Sequence, residues 1–214
     1  MSLQPTLAAI ATALVFPHRF YRERRPDPGD AGPIVLGVGL VSAVAVSVVL
    51  PLGAVVVSLQ HPSADALGLL ADLDPGIYAL GLLAPVAVVA NWLLVGFLLH
   101  VAVTLGGGEG EYTDTLAVVG WTTPATLLAM GVTAVGFLLA LWGNPLQMSY
   151  DAKLAAVAPG VGLAATVGGL LSLLWQGYCW PPGLRRVHSV DGGASGRATA
   201  LTLAIGAIGL LLTL

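Results

Sequence analysis

The sequence predicts an all-α polytopic membrane protein, a bundle of five transmembrane helices with an N-terminal interfacial amphipathic helix. Its 8 Lys and Arg and 11 Asp and Glu residues all lie outside five stretches, residues 34–59, 76–105, 115–142, 154–180 and 198–214. An uncharged apolar run of about 18 residues is long enough to cross a hydrocarbon core about 30 Å thick. Only 9% of the 214 residues are charged and 57% are hydrophobic, with a mean hydropathy of +0.90. Soluble domains carry about a quarter charged residues. Two regions follow: residues 1–32, an interfacial helix with a basic segment, and residues 33–214, the five-helix transmembrane domain.

The N-terminus does not read as a secretory signal, which places positive charge ahead of its apolar stretch. Here the apolar residues 3–16 come first, and Arg19, Arg22, Arg24 and Arg25 follow. Leu3, Leu7, Ile10 and Leu14 recur at helical spacing and share a face. The segment is too short to span, so it is expected to lie in the membrane interface. The arginines behind it suit anionic head groups, at about 1 kcal/mol each. Pro26, Pro28 and Gly29 are expected to break the chain before the first span.

Orientation follows from the arginines, which favour the cytoplasmic side of short loops. Four precede the first span, and Arg185, Arg186 and Arg197 lie between the fourth and fifth. The segment between the first and second spans holds Asp65, Asp72 and Asp74 without Lys or Arg, and Lys153 stands alone before the fourth. With five spans, the arginine-bearing segments share one side by parity. The expected topology has the N-terminus in the cytoplasm and the C-terminus outside the cell membrane. The fifth stretch is at the short end of the spanning range.

Several residues inside the spans need neighbours. Pro51, Pro85 and Pro124 free carbonyls and bend their helices. Asn91 and Gln176 place side-chain amides in hydrocarbon, where interhelical hydrogen bonding is the expected role. In the fourth span, Ala156, Gly160, Ala164, Gly168 and Ser172 form a ridge of small side chains that permits close helix approach. The single cysteine, Cys179, excludes an intrachain disulfide and a Cys-cluster metal site. Abundant Ala, Gly and Val with one Lys point to a high-GC prokaryotic source.

The most distinctive segment runs from His100 through Gly106, Gly107, Gly108, Glu109, Gly110, Glu111 and Tyr112 to Thr115. Its glycines permit a compact reversal between two helices. Thr113 is placed to cap the third span, with Asp114 in its first turn favoured by the helix dipole. The turn is acidic and lacks the Lys of a phosphate-binding loop. Glu109, Glu111, Asp114 and His100 carry cation-ligand chemistry, but no spacing enforces a site. A membrane hairpin is the simpler reading.

No Gly-x-Ser-x-Gly elbow and no His-Glu-x-x-His zinc motif occurs, and no span carries an acidic pair. Catalysis is therefore not expected, nor is ion-coupled transport, which keeps ionisable groups in the membrane. No cofactor is implied, and no basic stripe serves nucleic acid. A small transporter, channel or lipid-handling protein survives as an alternative. It requires a polar cavity reaching mid-membrane near Asn91.

Three places carry a resemblance. Pro17-His-Arg-Phe20-Tyr21 stands ahead of Arg22, Arg24 and Arg25. His100 precedes the glycine turn, Tyr112, Thr115 and the run Val118-Val119-Gly120-Trp121-Thr122-Thr123-Pro124. Trp175 is followed by His188, Arg197 and Ala198. Together these resemble the Yip-one domain family, five-span proteins named for interaction with Ypt/Rab GTPases. Trp121 stands where a tyrosine is expected before the proline. The resemblance marks Pro17, Phe20, Tyr21, His100, Gly107, Gly108, Gly110, Tyr112, Pro124, His188 and Arg197 as candidate interaction or structural residues. Residues 1–32 are too few for a GTPase-binding domain, so a trafficking role is not carried over. What the resemblance implies is a non-enzymatic membrane scaffold with a cytoplasmic contact face at residues 19–25, 106–112 and 185–197. Its expected partners are membrane lipids and other membrane proteins or further copies of itself.

Overall fold

A computed structural model describes residues 3–60, 75–143 and 150–212. All regular structure among them is helical, with no strand. The N-terminal helices are α1 (Leu3–Val15) and α2 (Pro17–Glu23). The apolar helices are α3 (Pro28–Gln60), α4 (Pro75–Leu105), α5 (Tyr112–Thr122), α6 (Thr126–Gly143), α7 (Tyr150–His188) and α8 (Gly192–Leu211). A 3-10 turn at Thr123–Ala125 joins α5 to α6 within one span. Five spans are thus long and apolar enough to cross a membrane. The acidic segment with Asp65, Asp72 and Asp74 lies outside the described residues.

Helix ends depart from the expected ones for local reasons. Pro28 does not hold α3 off but starts it, because proline suits the first helical position. Asp27 Oδ1 accepts the Gly29 N–H at 2.8 Å and caps that end. Helix α5 starts at Tyr112, so Thr113 is inside it and not its cap. Glu111 occupies the cap position, and its N–H donates to Asp114 Oδ2 at 3.4 Å. Helix α8 starts at Gly192 because Asp191 Oδ1 accepts the Ala194 N–H at 2.7 Å. That earlier start draws Arg197 into the helix and gives it 20 residues, about 30 Å at 1.5 Å per residue.

Helix α7 runs past the expected end at Trp180, through Pro181 and Pro182, to His188. Packing outweighs the local penalty. Trp180, Pro182, Gly183 and Leu184 are buried. A Cβ on Gly183 would meet Val118 Cγ1 at 2.6 Å and Tyr21 Cζ at 3.0 Å. Arg185, Arg186 and His188 fill the last turn, where positive charge complements the helix dipole. Arg185 and Arg186 are therefore helical and not part of a loop. Ser189, at φ 57°, ends the helix.

Pro124 interrupts the third span, and nearby hydroxyls satisfy the loosened backbone. Thr122 and Thr123 Oγ1 both donate to Val119 O, at 2.9 and 3.0 Å, and Thr126 Oγ1 donates to Thr123 O at 2.7 Å. The turn also redirects the helix. Helix α5 packs on α3, α4 and α7, whereas α6 packs on α7 and α3 without an extensive contact to α4.

The α6–α7 pair is the most extensive helix contact and uses the small-residue ridge. A Cβ on Gly168 would lie 2.8 Å from Ala129 O, and one on Gly136 would lie 2.5 Å from the Ala164 Cβ. Gly160 faces Ala140 in the same antiparallel register. The Ala156 side chain lies outside the described set. Gln176, by contrast, donates to Ser172 Oγ on its own helix at 3.2 Å and not to a neighbouring helix.

The main hydrophobic core gathers at the arginine-rich end of the bundle. It joins Ala13, Phe20, Tyr21, Leu99, Trp121, Trp180 and Leu184. Helix α1 turns Ala13, Ala9 and Ile10 to this core and leaves Leu7 exposed. The face it buries is therefore offset from the leucine stripe. The close seam gives opposite signs for two alanine substitutions. Gly168→Ala is expected to destabilise the detergent-solubilised protein by about 1–3 kcal/mol through overpacking. Gly162→Ala, where a Cβ meets nothing within 4 Å, is expected to be neutral or stabilising by up to about 1 kcal/mol. Thermal unfolding of both variants checks this, and equal shifts would contradict the seam.

Candidate functional site

The site forms where α4 ends, α5 begins and α7 ends. Helix α4 closes with a Schellman turn, in which Gly108 N donates to Val103 O and Gly107 N to Thr104 O, each at 3.0 Å. Gly107 takes φ +90°, a conformation that favours glycine. The chain then crosses the end of α7. Glu109 N donates to His188 O at 3.3 Å, and Gly110 N donates to His188 Nδ1 at 3.1 Å.

Close approach requires Gly110 to lack a side chain. A Cβ there would meet Val187 O at 2.5 Å and His188 Nδ1 at 2.8 Å. At Gly108 a Cβ would come within 3.1 Å of His188. Both glycines make room for this imidazole.

The other face of His188 meets Thr115 in the first turn of α5, with Nε2 2.7 Å from Oγ1. The Gly110 N–H needs a lone pair on Nδ1, so the ring proton of the neutral imidazole sits on Nε2 and is donated to Thr115. The threonine hydroxyl is then placed to donate to His100 Nδ1 at 3.3 Å. The two imidazole centroids are 5.5 Å apart. Tyr112 sets its ring edge-on to His100 at 5.6 Å and donates its hydroxyl to Leu93 O at 2.9 Å. Thr115 and His188 are buried, which makes each of these bonds costly to leave unmade.

Helix α2 docks beside this cluster. Pro17 starts the helix, and Pro17, Phe20 and Tyr21 are buried. Tyr21 donates to Val118 O at 3.3 Å. Burial pushes its phenol well above the ordinary value, so it remains a neutral donor. Phe20 packs on Trp121 with centroids 4.9 Å apart, and the Arg24 guanidinium lies 5.6 Å from the Trp121 ring centroid. Trp121 Nε1 is buried without a hydrogen-bond partner. Arg25 pairs with Asp114 at 3.3 Å, tying α2 to α5.

The structure thus brings together His100, Gly108, Gly110, Tyr112 and His188, with Gly107 shaping the turn and Pro17, Phe20 and Tyr21 alongside. Pro124 belongs to the span interruption, and Arg197 is exposed on α8, outside this hydrogen-bonded cluster. Thr115, which joins the two histidines, was not among the marked residues. Its sequence signals are its place after the glycines and its membership of the stretch that carries the family resemblance. The four candidate cation ligands do not converge, because Asp114 turns to Arg25 and His100 to Thr115. No metal-competent group of three or more His, Cys, Asp or Glu occurs among the described residues.

The Yip1 domain family model matches residues 11–214, nearly the whole chain. The chain belongs to the Yip1 domain family. No curated protein and no solved structure matches it. In this Yip1 domain the match takes in α2 and all five spans. It therefore includes both histidines and the turn that clasps one of them.

The clasp implies a pH dependence. The docked turn requires an unprotonated Nδ1, so the released form binds more protons and docking strengthens as pH rises. Protonation of Nδ1 on acidification sets two donors face to face. Hydrogen exchange corrected for intrinsic rate should show the Gly110 amide protected near pH 8 and released near pH 5. His188→Phe should leave it unprotected at both.

Proposed function

We propose that this Yip1 domain protein is a non-enzymatic membrane scaffold whose contact face is the arginine-rich end of the bundle. The observation that carries the reading is the clasp at His188. It joins the ends of α4 and α7 to the start of α5, and α2 is docked beside it. The result is a fixed surface at the ends of the spans. Arg22, Arg185 and Arg186 are exposed on it together with Glu109 and Glu111. A polar recess of about 450 Å³, lined by Arg25, Glu109, Glu111 and Asp114, lies between them. Mixed charge on a rigid frame suits a protein segment or lipid head groups, and such charges set specificity more than raw affinity.

A hydrolytic role is not favoured, although a Thr–His pair is a nucleophile–base pair in other settings. Thr115 has 0% exposure and His188 1%, so substrate has no access to the hydroxyl. Both His188 nitrogens are committed to structural bonds. The charge distribution supports a cell-membrane topology with this face in the cytoplasm and the C-terminus outside.

Crosslinking in native membranes followed by gentle purification is expected to recover a stable protein partner. That recovery should fall when Gly110→Ala disrupts the clasp and when Arg22→Glu and Arg186→Glu reverse the surface charge. Recovery of the protein alone under every condition would count against the reading. For topology, Arg22→Cys and Arg186→Cys should resist an impermeant thiol reagent in intact cells, while Ser58→Cys reacts. The reverse pattern would invert the proposed orientation.

A further inference from the structure

A cavity of about 370 Å³ lies between α4, α7 and α8 at the level where α6 begins. Its polar residues are Asn91, Thr126, Ser172, Gln176 and Thr202, contributed by four different helices. At 1.5 Å per residue, they sit roughly 15–25 Å along their helices from the arginine-rich end, near the middle of a 30 Å hydrocarbon core. Asn91 is exposed, so this polar end reaches the outer surface of α4. The Pro124 turn accounts for the space, because α6 leaves α4 beyond it.

A second cavity of about 590 Å³ lies between α3, α6, α7 and α8. It adjoins the first, and Ala129, Gly169 and Leu210 line both. Its walls are Val46, Val49, Met130, Phe137, Val161 and similar groups, almost wholly apolar. No ionisable residue lines either lobe. Side by side, the two cavities offer a polar end and a larger apolar end, which is the form of an amphiphile and not of a water-soluble ion.

The polar end presents both acceptors and donors, since the Ser172 hydroxyl and the second Gln176 N–H carry protons beside the oxygens. Thr126 and Thr202 donate their hydroxyl protons to Thr123 O and Ala198 O, which leaves oxygen lone pairs as their free function. Gln176 donates to Ser172 and keeps its carbonyl oxygen as an acceptor. Asn91 brings both an acceptor and a donor. No cationic side chain lines this end to balance an anionic phosphate, whereas a neutral hydroxyl group both donates to and accepts from the side chains present.

We propose that this space binds a neutral, hydroxyl-bearing acylglycerol, with the hydroxyl between Asn91 and Gln176 and an acyl chain in the apolar lobe. The site is separate from the contact face at the arginine-rich end and does not depend on it. The test uses the full chain in nanodiscs with a diazirine-bearing diacylglycerol. Photolabelling should fall on α4, α6 and α7 peptides that line the lobes. It should be competed by unlabelled diacylglycerol, but not by its O-acetylated form or by phosphatidic acid. Asn91→Leu should weaken competition by about threefold, the value of one hydrogen bond within a membrane, with an unchanged melting temperature. Ala134→Phe, which fills the apolar lobe, should reduce labelling independently. Equal competition by phosphatidic acid, labelling confined to other peptides, or unchanged affinity in Asn91→Leu overturns the proposal.

Discussion

The His188 imidazole is the contact on which the arginine-rich end of this protein depends. One ring nitrogen accepts from the Gly110 backbone and the other meets the Thr115 hydroxyl. These two bonds connect the end of α7 to the turn after α4 and to the start of α5. Nothing charged is available within the spans to do this. A buried polar network of this kind stabilises only when every member is satisfied, and its members are satisfied by one tautomer. The glycines on either side of Glu109 are required by the same ring, since a side chain at either position would occupy its space.

Around that clasp the molecule divides into two differently held halves. The arginine-rich end has a dense core in which Tyr21, Trp121, Trp180 and Leu184 are all fully buried. Helices α1 and α2 close over it. The rest of the bundle has close contacts, between α6 and α7 and between Gly39 of α3 and Pro85 of α4, with cavities among them. The Pro124 turn separates these regimes by sending α6 away from α4. A lipid-facing bundle has no hydrophobic drive to close such gaps, because hydrocarbon tails are as apolar as leucine. The two adjoining cavities that share Ala129, Gly169 and Leu210 sit in the membrane half, and the clasped surface sits at the basic end.

The five spans were legible because a charge-free apolar run as long as a membrane is thick suits hydrocarbon and little else. Their ends were less so. Helix α7 continues through two prolines because Gly183 packs on Tyr21 and Val118, a contact far from it in sequence. Helix α8 gains its length from Asp191, whose capping role outweighs the two glycines that follow. The leucine stripe of α1 was visible, yet the buried face centres on Ala13, since a small side chain permits closer docking. At the site, the glycines and both histidines were recognisable as pieces of a family pattern. Their contact was not, because Gly110 and His188 are 78 positions apart. Thr115 belonged to the same pattern, but nothing in that pattern assigned it a contact with His188. Of the four residues with cation-ligand chemistry, Asp114 is engaged by Arg25 and by the Glu111 N–H, and His100 faces Thr115.

A single neutral tautomer of His188 holds three helix ends together. Solid-state nitrogen NMR of the ring-labelled protein in bilayers at neutral pH tests it directly. The expected result is a neutral His188 ring protonated at Nε2, with a through-space correlation from Nδ1 to the Gly110 amide proton. An imidazolium, a proton on Nδ1, or the absence of that correlation would contradict it.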